Sequence, residues 1–126
     1  MKLAIAAILL AAPVAAQTLT AENCEFYSPA GSNLPPSFVA CQITNNGVDA
    51  VAAFSFAVSL TQPDRAVPWV DADEGRSRVA GGIEPGETVR TMFMTRGVPA
   101  RADPSVIEIS VTPYDAKNVA GELIAP

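Results

Sequence analysis

The chain has 126 residues, with eleven prolines, eight glycines, two cysteines and no histidine, and thirteen acidic against eight basic side chains give a formal charge of −5. An acidic chain without a basic run is poorly suited to nucleic acid or to an anionic membrane surface, both of which attract lysine and arginine. The missing imidazole removes the usual base for a serine or cysteine nucleophile and a principal zinc ligand.

The first sixteen residues, MKLAIAAILLAAPVAA, have the layout of a secretory signal peptide: Lys2, an apolar stretch from Leu3 to Ala12, Pro13, then small residues Val14 and Ala16 at −3 and −1. The stretch falls short of the roughly 20 residues that span a bilayer. Cleavage before Gln17 is therefore expected, leaving residues 17–126 as one domain with one core. Cys24 follows Ala21-Glu22-Asn23 and not a small-residue lipobox, which argues against a lipoprotein.

A first strand over about 18–27 carries Cys24 and Phe26 on one face, and Cys41 follows with sixteen residues between the cysteines. In an exported domain of this size the pair reads as a disulfide. The spacing is not the C-x-x-C of thiol exchange, and two cysteines without histidine leave a zinc site incomplete. Closing the loop is worth about 3 kcal/mol through the entropy of the unfolded chain. The SPAGSNLPPS stretch between them is too irregular to set strand register by a tight turn.

Next in order, SFVACQIT alternates Val39, Cys41 and Ile43 against Ala40, Gln42 and Thr44, and Asn45-Asn46-Gly47 supplies a turn. AVAAFSFAVSLTQ places Ala52, Phe54, Phe56, Val58 and Leu60 on an apolar face, with small or polar neighbours at Ala53, Ser55, Ala57 and Ser59. Short strands near 66–70 and 76–80 flank an acidic loop, 71–75. Glu84-Pro85-Gly86-Glu87 has the Pro-Gly centre of a type II turn. TVRTMFMTR opposes Val89, Thr91 and Phe93 to Arg90, Met92, Met94 and Arg96, and SVIEISVT opposes Ile107, Ile109 and Val111 to Glu108, Ser110 and Thr112. A turn at Asp115–Asn118 leads to a last strand over Val119 to Ile124. The fold expected is all-β, an immunoglobulin-like or fibronectin III-like antiparallel sandwich of about seven strands with one disulfide.

Over about residues 38–115 the chain resembles the FxLYD-type bacterial envelope domains. Phe56, Val58, Leu60 and Asp64 match one element of that pattern, and Ile83, Pro85, Gly86, Glu87 and Phe93 match a second. Thr61 stands where the family carries tyrosine, and the disulfide loop lies outside the pattern. The resemblance implies a fold and an envelope location and transfers no catalytic residue.

Candidates for chemistry are few. There is no G-x-S-x-G and no S-x-x-K, Lys117 falls in an expected turn, and Glu22, Glu25 and Asp103 read as solvated carboxylates. An enzyme is not expected, nor a cofactor. Asp71, Asp73 and Glu74 are candidate calcium ligands, although position twelve counted from Asp71 is Gly82 and not glutamate. Met92 and Met94 are soft enough for Cu(I), but Arg90 and Arg96 bracket them with positive charge. The same four residues, Arg90, Met92, Met94 and Arg96, better suit an outer sheet surface that receives a protein, since methionine and arginine are enriched in such contacts. Trp69 belongs either to the core or to a loop-borne site. The function expected is a non-enzymatic exported binding or accessory module, periplasmic or secreted, with an envelope protein as partner. A small-ligand or calcium-binding periplasmic protein using the acidic loop is the alternative.

Overall fold

The structure, a computed structural model, describes residues 18–27, 37–96, 98–99 and 101–124. The expected signal peptide and nearly all of the SPAGSNLPPS stretch lie outside them. Six strands are formed: β1 (Leu19–Tyr27), β2 (Ser37–Asn45), β3 (Val51–Thr61), β4 (Val70–Ile83), β5 (Thr88–Thr95) and β6 (Glu108–Lys117). They make two three-stranded antiparallel sheets, ordered β1-β2-β5 and β4-β3-β6.

Alternation decides what each sheet buries. Val39, Cys41 and Ile43 of β2 meet Phe54, Phe56, Val58 and Leu60 of β3 in one core, all of them buried. Phe93 of β5 joins the sheets, its ring centroid 4.4 Å from that of Phe56 and 6.1 Å from that of Phe54. Such tilted and edge-on pairs add to the gain from area alone.

A bulge builds the disulfide. Glu22 pairs with Gln42 and Glu25 with Ala40, so Asn23 and Cys24 together face Cys41. Asn23 absorbs the extra residue with φ +52°, a conformation asparagine tolerates well. The slip turns Cys24 inward beside Cys41, and the two sulfurs are bonded.

Asn45 ends β2 fully buried, and its amide is satisfied. It donates to the carbonyls of Ile83 at 2.8 Å and Asp49 at 2.9 Å, and accepts from the Gly47 N–H at 2.9 Å. The main chain of Asn45 also bonds Glu87 and Gly86. One side chain thus ties the β2–β3 connection to the Pro85-Gly86 turn, where Gly86 has φ +83°.

Three expectations are corrected, and six strands stand among the described residues where about seven were expected. The stretches 66–70 and 76–80 do not form separate strands: a single β4 runs from Val70 to Ile83, and the acidic segment lies within it. Asp71 and Ala72 together oppose Ser59, whose Oγ accepts the Ala72 N–H at 2.9 Å. Beyond that bulge the strand alternates to the end of its acidic run. Phe56 lies directly over Gly75, where an added Cβ would sit 2.7 Å from the ring, so the aromatic fills the place of the absent side chain. Nor does Val119–Ile124 form a strand. Asn118 Oδ1 accepts the N–H groups of Ala120 and Glu122, curling the chain into a local turn, which meets β6 through the Lys117–Leu123 bridge and the Ile124 N–H on the Ala116 carbonyl. The expected turn at Asp115–Asn118 is displaced accordingly, because β6 continues to Lys117. Pro113, with no N–H to donate, is accommodated because β6 is an edge strand.

Candidate functional site

Val89, Thr91 and Phe93 turn toward the core, leaving Arg90, Met92 and Met94 on the outer face of β1-β2-β5. Register supplies their neighbours. Met94 pairs with Phe38, which pairs with Tyr27; Met92 pairs with Ala40, which pairs with Glu25; Arg90 pairs with Gln42. Met92 is 58% exposed, Met94 66% and Tyr27 44%, so three large side chains stand in two adjacent rows.

Arg90 does not project freely. Its Nη2 donates to Glu25 Oε1 at 3.0 Å and to the Tyr27 hydroxyl at 2.9 Å, and that hydroxyl donates to the same carboxylate oxygen. The bond runs diagonally across the row of Ala40, a small residue that is outward-facing yet fully buried. The Arg90 hydrogen bond, then that of Tyr27, hold the Glu25 carboxyl below its ordinary value, and Glu25 raises Arg90 in turn. Because both groups are exposed, the pair orients more than it stabilises. Alternation already sets Tyr27, Glu25 and Phe38 opposite the core side of their strands; the pairing of β1, β2 and β5 makes them neighbours of Met92 and Met94.

Arg96 departs from the expected group. It lies past the end of β5, and its Nε is 3.7 Å from Asp73 on the other sheet. The candidate cation ligands Asp71, Asp73 and Glu74 lie along β4 and line one cleft with Arg96. On a strand, consecutive residues point to opposite faces: Asp73 turns inward toward Arg96, Glu74 turns outward to accept the Tyr114 hydroxyl, and Asp71 lies in the bulge with Ala72, exposed. Among the described residues no three histidine, cysteine or carboxylate side chains converge as a metal would need. The placement of Asp71, Asp73 and Glu74 in a loop is thus corrected: the segment is strand.

Trp69, half-buried, packs against the core while its indole N–H donates to Gln62 at 3.0 Å. The guanidinium carbons of Arg65 and Arg101 lie 4.1 Å and 5.4 Å from its ring centroid, a cation–π arrangement that fixes both arginines. The Asp103 carboxylate caps the short 3₁₀ turn Pro104–Val106, accepting from the hydroxyl and then the N–H of Ser105, which hold it below its ordinary value. No helix among the described residues is long and apolar enough to cross a membrane. No protein-family model, curated protein or solved structure matches the chain.

Proposed function

We propose that the chain is a non-enzymatic binding or accessory module exported to the bacterial cell envelope, periplasmic or secreted, that contacts a protein partner through the outer face of β1-β2-β5. The single observation carrying this is the exposed set Tyr27, Met92 and Met94 beside a guanidinium already held in place. Adaptable thioethers and an aromatic ring supply apolar contact area. Arg90, oriented before any partner arrives, loses less freedom on binding than a free arginine would. The export reading rests on the N-terminal sequence and is supported by the Cys24–Cys41 disulfide, which an oxidising compartment preserves.

The fold proposed is an immunoglobulin-like or fibronectin III-like sandwich of the FxLYD-type kind. In its favour, β2 and β3 are central strands facing each other across one core, and β6 is an edge where a seventh strand would pair. The test is capture from envelope extract with the native chain and with Met92→Glu and Met94→Glu. A specific partner should be retained by the native chain and lost by both variants, with melting temperatures unchanged. Equal recovery by all three rejects this face.

A further inference from the structure

Beyond the signal segment the chain carries seven basic side chains, and their engagement is uneven. Arg65 and Arg101 lie over Trp69, Arg90 is bonded to Glu25 and Arg96 pairs with Asp73. The remaining three, Arg76, Arg78 and Lys117, make no ion pair among the described residues, and all three line one groove of about 320 Å³ on the outer face of β4-β3-β6.

The register explains how they meet. Ala53 pairs with Arg78 on one side and Lys117 on the other, and Ser55 pairs with Arg76 and Tyr114. The centre of the groove is therefore floored by two small residues, with long side chains rising from both edge strands. Lys117 reaches this face because β6 bulges: Asp115 takes φ +50°, Ala116 is buried, and the following residue is returned outward. At one end the Tyr114–Glu74 bond spans the groove above β3. Its other end, flanked by Arg78 and Lys117, is not spanned in this way.

Three cations share the groove with one carboxylate, Asp115, so like charges outnumber their counter-charge there and oppose one another. In a chain of net negative charge, an anionic ligand would relieve that repulsion. We propose that this groove binds an extended acidic peptide segment. Arg76 and Arg78 are two apart on one strand, about 7 Å, the same repeat at which alternate side chains of an extended peptide fall. Arg78 and Lys117 stand two strand spacings apart, about 10 Å. Cations at this spacing match the successive acidic side chains of an extended chain laid along the groove. Asp115, the one carboxylate lining the groove, disfavours an acidic side chain beside it and so helps set the peptide's register.

This site shares no residue with the Met92–Met94 face, so the two readings fail separately. The experiment is fluorescence anisotropy with a labelled Glu-Thr-Glu-Thr-Glu peptide and its glutamine counterpart. The acidic peptide should bind, weaken as salt is added, and lose about tenfold or more in affinity on Arg76→Glu with Arg78→Glu, as like-charge contacts demand. Because both arginines are exposed, the circular dichroism melt should show that the double variant is folded. Met92→Glu should leave the affinity unchanged. The proposal is overturned by no binding, by equal binding of the glutamine peptide, by indifference to the charge reversal, by loss on Met92→Glu, or by succinate or inorganic phosphate binding as tightly as the peptide.

Discussion

The outer faces of the two sheets are built from opposite materials. On β1-β2-β5 the cation Arg90 is held by Glu25 and Tyr27, while large apolar side chains stand free. On β4-β3-β6 the floor is made of small residues, and it is the cations that stand free. The difference follows from cross-strand neighbours and not from the strands' own sequences. Arg90 and Arg76 occupy equivalent outward positions on edge strands. One meets a carboxylate two strands away across a small residue, and the other meets serine and tyrosine. A surface of this kind is defined by register.

The largest expected effect that separates the faces comes from the disulfide. Reduction should cost about 3 kcal/mol in chemical denaturation, and amide exchange should speed up in β1 ahead of β6, because the bond secures only β1 to β2. Equal acceleration in both sheets would mean that the bond constrains the whole sandwich. The thiols, once released, should show no exchange activity.

A smaller effect belongs to the second sheet. Gly75→Ala places a methyl 2.7 Å from the Phe56 ring, and displacing that ring should cost about 1–2 kcal/mol. The shift lies next to Arg76, so it should disturb the groove and leave the Met92–Met94 face unaltered. Chemical shifts confined to β1-β2-β5 would contradict this.

The smallest effect is electrostatic. The folded-state pKa of Glu25 lies below its ordinary 4.5, so its contribution is full above that pH and disappears as pH falls through the lowered value. The melting temperature of Glu25→Gln should therefore lie slightly below that of the native chain at neutral pH, and the gap should close in acid. A gap that persists in acid would assign the loss to packing.

Much of the first sheet was legible in the sequence. Val39, Cys41 and Ile43 alternate cleanly, Val89, Thr91 and Phe93 do the same, and compartment and spacing mark the cysteine pair as a disulfide. The second sheet was less so, because β4 carries no apolar alternation in its acidic stretch. Asp71 to Gly75 looks like a loop until Phe56 is seen to cover Gly75 and Ser59 to hold the bulge. The end of the chain misled in the reverse sense. Val119 and Leu123 suit a strand, but Asn118 gathers the neighbouring N–H groups into a turn first. The groove was hidden for a third reason. Ala53 and Ser55 were visible as small outward residues, but which side chains flank them depends on two bulges that the sequence does not announce.

Site-specific photocrosslinking in the native host tests the partner face most directly, with the reactive group placed at Met94 and, for comparison, at Ser110 on the exposed edge strand β6. One defined crosslinked protein from Met94, absent from Ser110 and abolished by Met92→Glu, is the result expected of a docking face on β1-β2-β5. No product from Met94, or the same product from both positions, would contradict it.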